Sequence, residues 1–267
     1  MGYISQMPDN TTRFSDRVED YVKYRPGYPE GIVGYLRDAY GLGPEWVVAD
    51  IGSGTGILTK LFLQNGNRVY GVEPNREMRE KGEALLVGYA GTAGAPAGGA
   101  GKFVSVDGTA EATGLADASV DMIVAGQAFH WFDPDRSRTE FERVLRPGGV
   151  VVLIWNERLV ESAFEKEYEE LILQYGTDYT YVKHKVNSDE RIGEFFRPAA
   201  FALATFPNEQ LFDFDGLKGR LLSASYIPKE GNEAMLHALR KLFDRHAAGG
   251  RVRVGYDTKV YSGILKP

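Results

Sequence analysis

The stretch that decides the fold is Asp50-Ile51-Gly52-Ser53-Gly54-Thr55-Gly56, which directly follows the apolar run Trp46-Val47-Val48-Ala49. The apolar run predicts a buried strand, the glycines predict a tight turn, and residues 57–63 predict the start of a helix. A strand, a turn with little side-chain bulk and a helix N-terminus bring backbone N–H groups close to a nucleoside. The sequence therefore predicts a nucleoside site at this turn.

The next strand-like run, Arg68-Val69-Tyr70-Gly71-Val72, ends at Glu73. An acid at the tip of the neighbouring strand can accept hydrogen bonds from ribose hydroxyls. A dinucleotide fingerprint requires a third glycine, but that position is Ile57 or Thr59, depending on which glycine starts the count. No Lys follows the turn, which argues against a phosphate-binding P-loop. The pattern favours a nucleoside that carries no phosphates.

The composition of the 267-residue chain is that of a globular protein, with 43% hydrophobic and 25% charged residues. The net charge of -6 gives no reason to expect nucleic acid. There is no cysteine, and the histidines lack metal-ligand spacing, so we expect no metal. No run approaches the roughly 20 apolar residues of a membrane span, and nothing resembles a signal peptide. We expect a cytoplasmic protein without a membrane partner, and the oligomeric state stays open.

Strand-like and helix-like patterns alternate from residue 29 to 155, which favours βαβ units and a mainly parallel sheet. The predicted strands are 46–51, 68–73, 102–106, 120–125 and 150–155. The predicted helices are 29–40, 57–65, one that Asn75 caps and that runs to about Leu86, and one that Asp133 caps and that ends at Pro147. Residues 87–101 contain six glycines and predict a surface loop.

The pattern changes after Asn156. Residues 157–175 and 188–196 are predicted to be helical and to lie over the strand ends as a cap. A strand at 201–214, helices at 215–223 and 232–247, and a last strand at 251–265 follow. We expect one structural domain in four parts: an N-terminal segment and helix that cover the active site (1–45), a core (46–155), a helical cap insert (156–199) and a part that completes the sheet (200–267).

Five motifs in this order resemble those of the class I methyltransferases that depend on S-adenosylmethionine (SAM). They are Asp50–Gly56, Glu73, Gly108–Glu111, Ser119–Asp121 and Arg143–Gly149. The resemblance spans residues 46–155. It implies an α/β fold with a doubly wound, mainly parallel, seven-stranded Rossmann-like sheet whose last strand is antiparallel. It also implies that SAM is the cofactor and that a methyl group is transferred to a small molecule.

A narrower resemblance is to small-molecule methyltransferases of the trans-aconitate methyltransferase-like group. It rests on Tyr21–Pro29, on Ala128-Phe129-His130-Trp131-Phe132 and on Ser223–Pro228. This match says less about the substrate than about the subgroup, and we expect an acidic or amphipathic metabolite as acceptor. Two other classes stay open: a SAM-binding protein without catalytic activity and a nicotinamide-dependent oxidoreductase.

The class resemblance places SAM at the carboxyl ends of strands one to four. Glu73 would bind the ribose diol, Pro74 and Met78 would contact adenine, and Gln127 and Ala128 would border the methionine chain. Many relatives carry an acid at the position of Thr109, so adenine recognition is expected to depend on backbone and hydroxyl groups. The full cofactor-binding set is Asp50, Gly52, Ser53, Gly54, Thr55, Gly56, Glu73, Pro74, Met78, Thr109, Ala110, Gln127 and Ala128.

The acceptor side is predicted from the N-terminal segment, which resembles the group's active-site cover, and from aromatic residues. Arg25 would clamp a carboxylate of SAM or of an acidic acceptor. His130 is either a general base or a structural residue stacked on Trp131, and a carboxylate acceptor needs no base. The full substrate-binding set is Tyr21, Tyr24, Arg25, Tyr28, Trp131, Trp155 and Tyr226.

Overall fold

The computed structural model describes residues 22–89, 103–177, 189–228 and 230–265. The predictions for Tyr21 and for most of the glycine-rich loop lie outside these ranges. The helices are α1 Gly31–Tyr40, α2 Ile57–Gln64, α3 Arg76–Leu86, α4 Pro134–Val144, α5 Ala163–Tyr175, α6 Asp189–Phe196, α7 Phe214–Leu222 and α8 Glu233–His246. The strands are β1 Val47–Ile51, β2 Arg68–Val72, β3 Phe103–Val106, β4 Val120–Gly126, β5 Leu145–Arg158, β6 Ala202–Phe212 and β7 Val252–Ile264.

The seven strands form one sheet in the order β3-β2-β1-β4-β5-β7-β6. Strands β3, β2, β1, β4 and β5 pair in parallel. Strand β7 is antiparallel to both of its neighbours, β5 and β6. The predicted sheet is confirmed, including its antiparallel last strand. The strand order reverses between β1 and β4, which is where an open α/β sheet forms a ligand crevice.

The central strands are buried on both faces because helices cover each side of the sheet. Val48, Val124 and Val152 face the cluster that contains α1 and α2. Their neighbours in sequence face the other way, into the cluster that contains α4 and α6. This double coverage explains why β1, β4 and β5 are nearly continuous apolar runs in the sequence.

Strand β5 is longer than predicted at both ends. Pro147-Gly148-Gly149 was predicted to separate helix and strand, but strand pairing starts at Leu145 and shifts register opposite β4. At the other end, β5 continues to Arg158 because it pairs there with Tyr256 of β7. The prediction of a helix from residue 157 was therefore wrong. Helix α5 begins at Ala163, where Ser162 forms a capping box.

The helical cap is built differently from the prediction. Helices α5, α7 and α8 enclose their own apolar cluster together with Val252, Val254 and Tyr256. Because β7 starts beside the end of β5, this cluster lies at the carboxyl-end edge of the central strands. Helix α6, expected to belong to the cap, instead packs through Phe195 on the sheet face that α4 covers.

Strand β6 forms one edge of the sheet. Pro207 lies in its middle, opposite Asp257 of β7. Proline has no backbone N–H to donate, and it is tolerated in an edge strand because the outer row of donors has no partner strand.

A buried polar cluster fixes the loop between β3 and β4 against α4. One oxygen of Glu140 accepts hydrogen bonds from the backbone N–H and the hydroxyl of Thr113, at 2.8 and 2.6 Å. Arg143 donates to both Glu140 oxygens and to the Leu115 carbonyl. The Arg143 guanidinium and the Thr113 donors lower the pKa of Glu140 to about 2. The cluster thereby positions the loop that leads from residue 107 to β4.

We expect Glu140→Gln to lower the free energy of unfolding at pH 7 by about 1–3 kcal/mol, because the amide nitrogen offers no acceptor to Arg143. Glu80→Gln is the control, since Glu80 forms an exposed pair with Arg76 and should cost less than about 1 kcal/mol. Urea denaturation measures both. Equal losses in the two variants would contradict the role given to Glu140.

Candidate active site

The turn after β1 depends on three glycines in the left-handed region, Gly52, Gly54 and Gly56, with φ of 69°, 56° and 83°. A Cβ atom on Gly52 would lie 2.8 Å from the Ala128 Cβ, and one on Gly56 would lie 2.5 Å from the Leu86 side chain. The motif is therefore required both by backbone conformation and by close packing.

The N–H groups of this turn are used within the protein, which corrects the expectation that they face a ligand. Gly52 and Ser53 donate to the Val72 carbonyl, at 2.9 and 3.2 Å. Gly54 donates to Glu73 Oε2 at 2.8 Å, and Gly56 donates to the Ser53 carbonyl at 2.9 Å. The turn thus contributes shape and space rather than these four donors.

Glu73 is held rigidly at the tip of β2. Its Oε2 accepts from Gly54 N, and its Oε1 accepts from Asn75 N at 2.9 Å. Burial raises the pKa of Glu73, and the two amides oppose that rise. Each carboxylate oxygen can accept a further hydrogen bond. A vicinal diol is one ligand that two such oxygens can bind.

A cavity of about 930 Å³, open to solvent on one side, lies over the ends of β1, β2 and β4. Nine of the predicted cofactor-binding residues line it: Gly52, Gly54, Glu73, Pro74, Met78, Thr109, Ala110, Gln127 and Ala128. Trp131, predicted on the acceptor side, also lines it. Four further residues line this cavity and were not among the predicted binding residues: Asn75, Glu111, Gly126 and Phe132. We call it the first cavity.

A second cavity of about 500 Å³ shares Gly52, Gly126 and Gln127 with the first, so the two adjoin. Gln127 has a φ of 55°, a conformation that costs energy in a residue other than glycine. Its backbone N–H donates to the Ile154 carbonyl at 2.8 Å, and its side chain donates to the Asn156 carbonyl at 3.1 Å. These bonds hold the strained residue at the junction.

Asp50 lines the second cavity and is only 1% exposed. Thr59 donates to its Oδ2 at 2.6 Å, whereas the buried Oδ1 has no hydrogen-bond partner among the described residues. Burial raises the pKa of Asp50 to about 7, and the charge of Glu73 adds to the rise while Thr59 opposes it. An orphaned carboxylate oxygen in a cavity is suited to a cationic ligand.

Arg25 and Tyr28 of the N-terminal segment both line the second cavity. Arg25 donates to the Ser223 carbonyl at 3.0 Å. Asn156 and Asn208 both donate to the Gly27 carbonyl, at 3.2 and 2.9 Å, which ties the segment to β5 and β6. Asn156 also lines the cavity and was not predicted.

Several predicted residues lie elsewhere, and these are corrections. Trp155 is 2% exposed and packs edge-on against Phe129 in the core, because side chains of β5 alternate between the two faces. Tyr24 packs against Gly219, and Tyr226 packs against the cap cluster. Neither lines the first or the second cavity, and neither do Thr55 and Gly56 of the turn.

Of the two roles considered for His130, the geometry favours the structural one. The ring is 8% exposed and lies against Trp131 with a centroid distance of 4.6 Å. It lines neither cavity. Trp131, the next residue, does line the first cavity.

Arg220 is the charged residue of the second cavity that the sequence analysis missed. It is 8% exposed, and its Nε donates to the Tyr256 hydroxyl at 3.2 Å. A sequence signal exists: Leu217 and Leu221 mark the buried stripe of α7, and Arg220 lies on that stripe. A lone cation on an apolar face of a helix is a sign of an internal site.

Residues 49–153 match the family model described as a methyltransferase domain. An uncharacterised methyltransferase of Mycobacterium tuberculosis (strain H37Rv) is 35% identical over 182 residues, which cover 68% of this chain and 66% of the relative. An uncharacterised methyltransferase-like protein of Schizosaccharomyces pombe is 26% identical over 95% of this chain and 96% of its own length.

The fold also matches solved structures. A protein of Anaeromyxobacter dehalogenans, provisionally described as a type II methyltransferase, superposes with a TM-score of 0.62 at 23% identity. That match covers 91% of this chain and 99% of the other. The chain therefore carries a class I methyltransferase fold and belongs to the methyltransferases. In the described ranges, no helix is long and apolar enough to cross a membrane, and no cluster of His, Asp and Glu side chains is arranged to bind a metal.

We expect the ligand-free protein to become less stable as pH rises from about 4 to about 7. Over that window the folded state keeps a proton on Asp50 that the unfolded state has released, so the free energy of unfolding falls, by at most about 1.4 kcal/mol per pH unit. Asp50→Asn should remove the part of this slope that Asp50 contributes and leave the part that comes from the raised pKa of Glu73. Urea denaturation of both proteins at several pH values measures it, and parallel curves would contradict the assignment.

Proposed function

We propose that the protein transfers a methyl group from SAM to a small-molecule acceptor. The observation that carries this proposal is the adjoining pair of cavities with a fixed carboxylate in each, Glu73 in the first and Asp50 in the second. The acidic residues suit a ligand that has a diol at one end and an ammonium group at the other.

The adenosine part of SAM fits the chemistry of the first cavity. Glu73 offers two carboxylate oxygens to the ribose hydroxyls. Pro74, Met78 and Phe132 supply apolar surface for adenine, and Glu111 supplies a polar group. Its carboxylate also accepts a hydrogen bond from Asp133 N at 2.9 Å.

The methionine part fits the second cavity. The free oxygen of Asp50 would accept a hydrogen bond from the α-ammonium group, and Arg25 would bind the α-carboxylate. Between the two cavities the chain would pass Gly52 and Gly126, which line both. SAM supplies a methyl group on a positively charged sulfur, which leaves as a neutral thioether when a nucleophile attacks the methyl carbon.

The protein's contribution is orientation and exclusion of water. Tyr28 of the cover segment closes over the junction. Its hydroxyl oxygen lies 2.4 Å from the position that a Cβ atom on Gly126 would take. Holding a nucleophile in line at roughly 3–3.5 Å contributes several kcal/mol without acid or base. Because His130 lines neither cavity, the proposal does not use it as a base. An acceptor already ionised near pH 7 suits such a site.

In this proposal each part of the chain has its own role in binding. Residues 1–45 cover the site and 46–155 bind SAM. Residues 156–199 and 200–267 supply the acceptor wall, with α7 rather than α6 closest to the second cavity, since Arg220 is on α7.

A nicotinamide-dependent oxidoreductase is disfavoured by the charge of the site. A pyrophosphate needs free donors at the turn, whereas four N–H groups are already bonded there. Asp50 and Glu73 would also repel it. Thermal denaturation with SAM and with NAD separates the two classes, because a bound ligand raises the melting temperature (Tm). We expect a rise with SAM alone.

Transfer of a labelled methyl group from SAM into a cellular metabolite extract separates an enzyme from a SAM-binding protein without activity. We expect label in small molecules with the wild type and at least a tenfold loss with Glu73→Ala, because the ribose loses its acceptor. SAM binding without any incorporation would support the inactive alternative.

We expect Gly52→Ala to weaken SAM binding at least tenfold, since the new methyl group occupies the junction and meets Ala128. Gly148→Ala is a matched control. Gly148 also has a positive φ, of 76°, but has open space around its Cβ position. Both substitutions place a side chain at a positive φ, and only the one at Gly52 also meets a neighbouring side chain. Calorimetric titration with SAM, at a temperature at which both variants are folded, compares their affinities. Equal affinities for SAM would place the ligand elsewhere.

A further inference from the structure

The second cavity contains a buried cation that the proposed function leaves unused. Arg220 is 8% exposed, and no carboxylate of the described residues lies within ion-pair distance of it. The other buried arginine of the cap, Arg158, forms an ion pair with Glu169. Burying an arginine without a counter-ion costs free energy. An anionic ligand that pairs with Arg220 would offset this cost.

The side chain of Arg220 is oriented by a chain of hydrogen bonds. Its Nε donates to the Tyr256 hydroxyl, which donates to Gln210 Oε1 at 3.0 Å. Gln210 Nε2 in turn donates to the Tyr24 carbonyl at 3.2 Å. This fixes one edge of the guanidinium and leaves its two terminal nitrogens, whose planar fork matches a carboxylate.

The position of Arg220 separates it from the cofactor's part of the cleft. It lines the second cavity but not the first. Its hydrogen bonds lead to β7 and β6, whereas the motifs for SAM lie on β1, β2 and β4. Arg220 therefore approaches the junction from the side opposite the adenosine cavity.

A count of charges in the second cavity leads to the same assignment. Arg25, Arg220 and Asp50 line it. The methionine end of SAM carries one ammonium and one carboxylate, which pair with Asp50 and Arg25. Arg220 and the sulfonium then remain as two positive charges, and a carboxylate on the acceptor would neutralise one of them.

We propose that Arg220 binds a carboxylate group of the methyl acceptor, so that the acceptor is a small carboxylic acid. This inference rests on the proposed function. Tyr168, Tyr226 and Tyr256 lie close enough to interact electrostatically with the guanidinium.

The test divides a cellular metabolite extract by anion exchange into an acidic fraction and a neutral-and-basic fraction, each offered with methyl-labelled SAM. We expect the wild type to label the acidic fraction, and the label to survive prior phosphatase treatment. Arg220→Gln and Arg220→Met should lose at least tenfold in rate, and Arg220→Lys should retain an intermediate rate. Arg253→Gln is the control, since Arg253 forms an exposed pair with Glu209, and it should keep the wild-type rate.

Two further measurements exclude a general structural effect. The dissociation constant for SAM should stay within about twofold in each Arg220 variant. The Tm of ligand-free Arg220→Met should equal or exceed that of the wild type, because the variant removes an unpaired buried charge. A lower Tm together with a weakened SAM complex would mean a structural or cofactor role and would overturn the inference.

The outcomes distinguish this inference from the proposed function. Label from the neutral-and-basic fraction alone, or a full rate in Arg220→Gln, leaves methyl transfer intact and overturns the role of Arg220. Loss of label after phosphatase treatment assigns the anion as phosphate and also overturns it. No label from either fraction means that the proposed function fails, and the inference fails with it.

Discussion

The hydrogen bond from Gly54 N to the Glu73 carboxylate is the constraint on which the rest of the site depends. It closes the turn after β1 onto the tip of β2, at 2.8 Å. Gly54 donates it from a backbone conformation with positive φ. One bond thus couples the glycine motif to the acid, and it explains why both features occur together in the sequence.

The distribution of charge follows from that coupling. With the turn amides bonded internally, the core presents acceptors, Glu73 and Asp50, and the cover and cap present cations, Arg25 and Arg220. A positively charged donor and a negatively charged acceptor would each meet a wall of opposite sign. In a cleft of low dielectric constant such complementarity orients two small molecules relative to each other.

The sequence was sufficient for elements whose signal is local. The strand-turn-helix at Asp50, the cap of Asn75 and the alternation up to residue 155 predicted the sheet and most of the first cavity. It was insufficient where long-range pairing decides. The extension of β5 depends on β7, about a hundred residues later, and the burial of Trp155 depends on which face α6 covers. Arg220 looked like an ordinary helix residue because its environment comes from β6 and β7.

The edge strand β6 has a consequence for the protein in concentrated solution. Leu203 and Leu211 are about half exposed along this strand, and an apolar edge with open backbone groups invites a strand from another molecule. Pro207 lies between the two leucines and interrupts the row of donors, and the pair of Glu209 with Arg253 adds charge beside it. These features protect the edge against intermolecular strand addition, so that the sheet ends at seven strands rather than growing into an aggregate.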